Sequence, residues 1–174
     1  MPDVTKPPNQ ISKHFELDYK IRGSYLVQAI TIESILSDII GHYFCQNQKR
    51  FGKFIGLVMN KSGITFASKI KIFGEILKYD YPEIYKKHKK LFDMLEKVRD
   101  FRNLLAHSSA SYSTKFLSKK HDDRIVLAHY VKGERKENII TIKEIEKKTK
   151  EFGYIVQRLI EILAVVDTDK NPVT

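Results

Sequence analysis

The sequence predicts an all-α domain: a four-to-five-helix antiparallel bundle with a small β-hairpin inserted before the last helix. Four segments place apolar residues three and four apart, the period of a helix with one buried face. The links between them are mostly short, which favours antiparallel neighbours. Near residues 124–141 the pattern changes to β-branched and aromatic residues around a turn candidate, the signature of paired strands.

Residues 1–12 hold three prolines and no period, so a disordered arm is expected, followed by a helical domain over 13–166 and a flexible tail over 167–174. The first helix is expected from about His14 to Phe44. Tyr25, Ala29, Ile32, Leu36, Ile39 and Tyr43 form one stripe, widened by Leu26, Ile30, Ile35, Ile40 and Phe44. Gly41 is read as a bend or an end. Residues 45–64, with Gly52, Gly56 and Gly63, read as loop or short turns. Thr65 fits the N-cap of a helix striped by Phe66, Ile70, Phe73 and Leu77, which stops at Tyr79-Asp80-Tyr81-Pro82. Pro82 suits the first position of a third helix. Its buried side is Ile84, Leu91, Leu95, Val98, Phe101 and Leu105; it runs unbroken to about Ser108 or breaks near Asp100. The strands are Arg124 to Val131 and Asn138 to Thr141, joined through Lys132-Gly133-Glu134. Thr141 and Glu144 then fit a capping box opening a helix striped by Ile145, Phe152, Val156, Leu159 and Leu163.

The 174 residues suit one domain, and a 42% apolar content is enough for a real core. The opening MPDVTKPPNQ has no apolar stretch, so no secretory signal is expected. The longest apolar run, Leu159 to Val166, is interrupted by Glu161 and is too short to span a bilayer. Cys45 is the single cysteine, which points to a reducing, cytoplasmic setting. The net charge of +10 favours an anionic partner, with nucleic acid first, although a lysine-rich surface also serves solubility alone. The excess is clustered at Lys49-Arg50-Phe51-Gly52-Lys53, Lys86-Lys87-His88-Lys89-Lys90, Lys119-Lys120 and Lys147-Lys148-Thr149-Lys150.

The third helix carries a polar anomaly. Arg99, Asn103 and His107 are spaced i, i+4, i+8 and share one helix face, with Arg102 beside that row. A cation, an amide and an imidazole thus lie on one strip of a helix that is otherwise mainly core. The plainer reading is a solvated strip ending in a histidine favoured by the helix dipole.

Arg102-Asn103-Leu104-Leu105-Ala106-His107 resembles the R-x(4–6)-H motif of HEPN domains, in which a polar residue, often Asn, follows the Arg. The resemblance extends over roughly residues 14–166: a long first helix with an acid, two middle helices, the motif late in the third, and a final helix. It implies a homodimeric helical bundle whose two motifs form one cleft, with metal-independent endoribonuclease activity, as in a toxin or defence effector. The alternative it implies is a non-catalytic module that binds RNA, nucleotide or a partner protein. It assigns Arg102, Asn103 and His107 as catalytic residues. Glu33 is a supporting first-helix acid able to orient the basic group, alongside Arg99. The partners expected are RNA, a second copy of the chain, and an antitoxin or regulatory protein; no cofactor, metal or membrane is expected. One departure is Ser109, where toxin-type members often carry Tyr two residues after the motif His; the nearest tyrosine is Tyr112. The hairpin is a decoration that could cover the cleft or extend a dimer contact.

Other chemistries fit less well. His42 and Cys45 stand one turn apart with no second ligand pair nearby, so no zinc site is expected. Lys61-Ser62-Gly63 lacks the rest of a phosphate-binding loop. Ser108 to Ser113 have no carboxylate placed to complete a triad. His14, His88, His121 and His129 read as surface histidines, and Tyr79 and Tyr81 as base-stacking candidates or helix-ending core residues.

Overall fold

The computed structural model describes residues 8–45, 47–61, 63–111 and 123–170. The chain is mainly helical with one small antiparallel sheet. In order, the elements are α1 (Pro8–Phe44), α2 (Gln48–Phe54), a π-helical turn (Ile55–Met59), α3 (Phe66–Asp80), α4 (Pro82–Lys87), α5 (Lys89–His107), β1 (Ser109–Ala110), β2 (Arg124–Val131), β3 (Glu134–Thr141) and α6 (Ile142–Lys170). Among the described residues, no helix is long and apolar enough to cross a membrane. Contacts divide the chain into two compact units, residues 1–27 with 101–150 and residues 28–100 with 151–174.

In the second unit, the expected α1 stripe is buried from Ala29 through Ile32, Leu36 and Ile39, while Tyr43 is half-buried. Ile30 and Phe44, expected to widen it, are exposed. The stretch read as loop is instead helical. Asn47 caps α2 by accepting from the Lys49 and Arg50 amides, and Gly52 in α2 and Gly56 in the π-helical turn both face open space, where a missing side chain leaves no gap. A satellite core gathers Ile40, Met59 and Ile76, with Phe54, Ile55 and Tyr81 packed on it. Gly41 does not end α1, which continues to Phe44. A Cβ there would lie 2.7 Å from the Phe51 ring, so Gly41 lets α2 approach α1 closely.

Thr65 caps α3 as expected, accepting from the Ser68 amide at 3.2 Å, and Phe66, Ile70, Phe73 and Leu77 are buried below it. The third helix breaks at His88 rather than near Asp100, separating α4 from α5. His88 is itself buried, and so is His14, contrary to the surface reading of both. Burial, and then the cations of Lys87 and Arg158, push the His88 pKa down, with Glu161 opposing. The shift favours the neutral ring. In α6 the buried row is Phe152, Ile155, Leu159, Ile162 and Val166, with Val156 and Leu163 half-buried beside it.

In the first unit, Ile21, Tyr25, Phe101, Leu105 and Ile145 are buried. Tyr25 meets Phe101 edge to face at 4.8 Å, and the Lys148 ammonium lies 4.4 Å from the Phe101 ring. The expected hairpin forms with full register from Arg124↔Thr141 to Val131↔Glu134. Its two-residue turn has positive φ at both Lys132 (52°) and Gly133 (84°), the twist that matches paired strands. Ile125, Leu127 and Ile140 fill one face of the sheet, which β1 extends to three strands through Ser109↔Ala128 and Ala110↔Leu127. Thr141 caps α6, accepting from the Glu144 amide at 3.2 Å. The arm and tail expected over 1–12 and 167–174 fall partly outside the described residues; α1 already begins at Pro8 and α6 continues to Lys170. Lys119, Lys120 and His121 also lie outside them.

The two α1 glycines should respond oppositely to alanine. A Cβ at Gly23 meets nothing within 4 Å, so Gly23→Ala should stabilise the fold by about 0.5–1 kcal/mol through helix entropy. At Gly41 the same gain is outweighed by an overpacking cost of about 1–3 kcal/mol. Urea denaturation of both variants checks this, and two shifts of the same sign would refute the role of Gly41.

Candidate functional site

The candidate residues occupy the last two turns of α5. A helix end leaves its final carbonyls without intrahelical donors and carries partial negative charge. Here a side chain from α1 supplies the donors. The Arg22 guanidinium donates through Nη1 to the Leu105 carbonyl at 2.7 Å and to the Ser108 carbonyl at 2.6 Å. Its Nε donates to Asp18 Oδ1 at 2.7 Å, one helical turn back, which fixes the direction of the fork. Arg22 thus closes the α5 terminus at the point where the chain turns into β1.

Arg102 and Asn103 are brought together on this secured end. Arg102 Nη1 donates to Asn103 Oδ1 at 3.1 Å, and both side chains are half-buried. The bond leaves the Asn103 NH₂ and the rest of the guanidinium edge as donors. His107 is exposed in the last turn. Arg102 and His107 are about 140° apart around an ideal helix, so a single phosphate meets both only from the side of the helix. Behind them Ser108 is buried, with its hydroxyl unsatisfied among the described residues.

The two supporting residues are engaged elsewhere. Arg99 is bonded to Asp100 (2.6 and 3.0 Å) and to Glu96. The Asp100 hydrogen bond first, aided by the charges of both acids, raises its pKa above the ordinary guanidinium value. Glu33 accepts from Lys69 Nζ at 3.0 Å. Lys69 is only 5% exposed, so this carboxylate neutralises a buried cation.

Sequence reasoning missed Arg22. Its visible signal is the Asp18–Arg22 pair at i, i+4 beside buried Ile21; the acceptors, 83 and 86 residues away, leave no local trace. It also missed a network on the sheet, where Arg135 Nη2 donates to the Ser111 hydroxyl at 2.9 Å and to Glu137 at 2.8 Å. His42 pairs with Asp167 at 2.8 Å instead of joining Cys45. Among the described residues, no three His, Cys, Asp or Glu side chains are grouped to hold a metal ion. Tyr81 donates to Asp169 at 2.9 Å; burial first, and then that bond, raise its pKa. Tyr79 is exposed. Comparison of the chain with protein-family models, curated proteins and solved structures found no match.

Arg22→Met keeps the aliphatic stem and removes both donors from the α5 terminus. It should destabilise the fold by about 1–3 kcal/mol, the range for orphaning buried acceptors. It should also speed exchange of the Ser111 amide, which donates to Val126 across the β1–β2 ladder. Lys20→Met on the exposed side of α1 is the control. Equal melting midpoints and equal exchange in the two variants would show that the clamp is without consequence.

Proposed function

We propose that the chain is a metal-independent endoribonuclease that acts as a homodimer through Arg102, Asn103 and His107. The observation that carries this reading is the pairing, on one secured helix end, of a hydrogen-bonded Arg102–Asn103 couple with an exposed imidazole. The resemblance to HEPN domains supports it and supplies the rest of the scheme: an antiparallel bundle, two copies of the motif in one cleft, and a regulatory or antitoxin partner.

The chemistry suits these groups. The 2′-hydroxyl of RNA attacks the adjacent phosphorus while a base removes its proton. The P–O5′ bond breaks, and an acid protonates the departing oxygen. Histidine serves either role near neutral pH, so His107 from each protomer would supply one base and one acid. The Arg102 fork would stabilise the charge that builds on the non-bridging oxygens, and Asn103 would donate to the same phosphate.

One observation favours the second reading, an RNA-binding module without catalysis. Glu33 is held by Lys69, which removes the acid expected to orient a base.

Cleavage assays in excess EDTA separate the two. The endoribonuclease leaves products with a 2′,3′-cyclic phosphate and a 5′-hydroxyl, and spares a matching DNA strand. His107→Ala should lower the rate by about 10²–10⁴ without changing the melting temperature. Arg102→Lys should also impair cleavage, because an ammonium lacks the planar fork. RNA that is retained but uncut on every substrate tried would establish the binding module instead. Cutting unchanged in His107→Ala would show that the residues are wrongly assigned.

A further inference from the structure

A half-open cleft of about 530 Å³ lies at the α4–α5 junction, within the range of small-ligand sites. It is made by the break at His88. On an unbroken helix the residues of Lys86-Lys87-His88-Lys89-Lys90 would project about 100° apart, around every side. With the helix interrupted, His88 turns its ring inward and all four lysines line one opening. Lys86 is held by Glu83 at 2.8 Å. Lys87, Lys89 and Lys90 have no acidic partner within ion-pair distance among the described residues, and Asp93 is the one carboxylate in the lining.

Like charges gathered this closely repel one another, and a bound anion relieves the repulsion. The lining also holds an aromatic ring: Tyr154, 46% exposed, with the Arg158 guanidinium 5.1 Å from its ring centroid. Arg158 is anchored in turn by Glu161 at 2.6 Å, so the ring is braced rather than free. Lysines and an aromatic ring in one lining match a phosphate joined to a base. They match it without a fork for carboxylates and without a deep apolar slot.

We propose that this cleft holds one nucleotide unit of a single-stranded nucleic acid, its phosphates on Lys87, Lys89 and Lys90 and its base against Tyr154. A duplex is excluded because its bases stay stacked and cannot reach the ring. Under the reading above, the strand is the RNA substrate and the cleft a holding site that shares no residue with Arg102, Asn103 or His107. The identification of the strand as RNA rests on that reading; the cleft itself reads phosphate and base, not the 2′-hydroxyl.

An uncleavable strand therefore tests the cleft independently of catalysis. A fluorescein-labelled single-stranded DNA oligomer is titrated by anisotropy against the full chain over a range of salt concentrations. Lys87→Gln/Lys89→Gln/Lys90→Gln is compared with Lys143→Gln/Lys147→Gln/Lys150→Gln, which removes the same charge from exposed α6 positions. The cleft variant should weaken binding by about tenfold or more. It should also reduce the slope of log K against log salt by about 0.7–1.4, the share of the one or two phosphates flanking a single nucleotide, since each phosphate contact to a single strand contributes about 0.7. Tyr154→Ser should weaken binding to an oligomer but not to an abasic strand of equal charge. If the two triple variants lose affinity equally, the charge acts diffusely and the cleft is not a site. Unchanged affinity in the cleft variant, or displacement of the oligomer by polyglutamate at equal charge, overturns the proposal as well. Failure of the cleavage reading has a different signature: RNA uncut in EDTA while the cleft variants still behave as described.

Discussion

Arg22 is the residue on which the site geometry turns. The α5 terminus would otherwise present unsatisfied carbonyls and the negative end of a 19-residue helix dipole at a point where the chain reverses. A guanidinium held by Asp18 and donating to two of those carbonyls answers both demands at once. Arg102, Asn103 and His107 all lie within the last two turns, so their orientation depends on that end being fixed. The reversal it secures leads into β1, whose ladder with β2 carries the chain to the hairpin and on to the Thr141 cap of α6.

The distribution of charge follows a similar logic. The cation most deeply withdrawn from water, Lys69, has its own acid in Glu33, because an unpaired buried ammonium would be strongly destabilising. Arg99 is neutralised on its own helix by Glu96 and Asp100. The lysines left without acidic partners at the α4–α5 junction are exposed, where water stabilises their charge. The net charge of +10 is thus partly structural and partly available, and the available part at this junction is concentrated around a cleft.

Local signals were legible in the sequence. Thr65 and Thr141 cap helices because a hydroxyl at the right offset is sufficient, and the Lys132-Gly133 turn declares itself through a glycine flanked by alternating residues. The α5 strip was legible as a spacing, and Arg102 and Asn103 do meet. The helical stretch over residues 48–59 was hidden because Gly52 and Gly56, each beside open space, look like loop when only composition is read. The two-residue β1 is too short for any periodic signal. The fates of Glu33 and Arg22 were hidden for another reason: their partners lie 36 and more than 80 residues away, and tertiary contacts of that reach are not written in local pattern.

The central claim is that the end of α5 engages the RNA phosphate. Its most direct test is NMR of the full chain titrated with a 2′-O-methyl RNA oligomer, which binds but offers no nucleophile. The account predicts that the His107 imidazole, the Asn103 side-chain amide and the Arg102 guanidinium resonances move together and saturate at one dissociation constant. Resonances of these three groups that stay fixed while the oligomer binds elsewhere would contradict it.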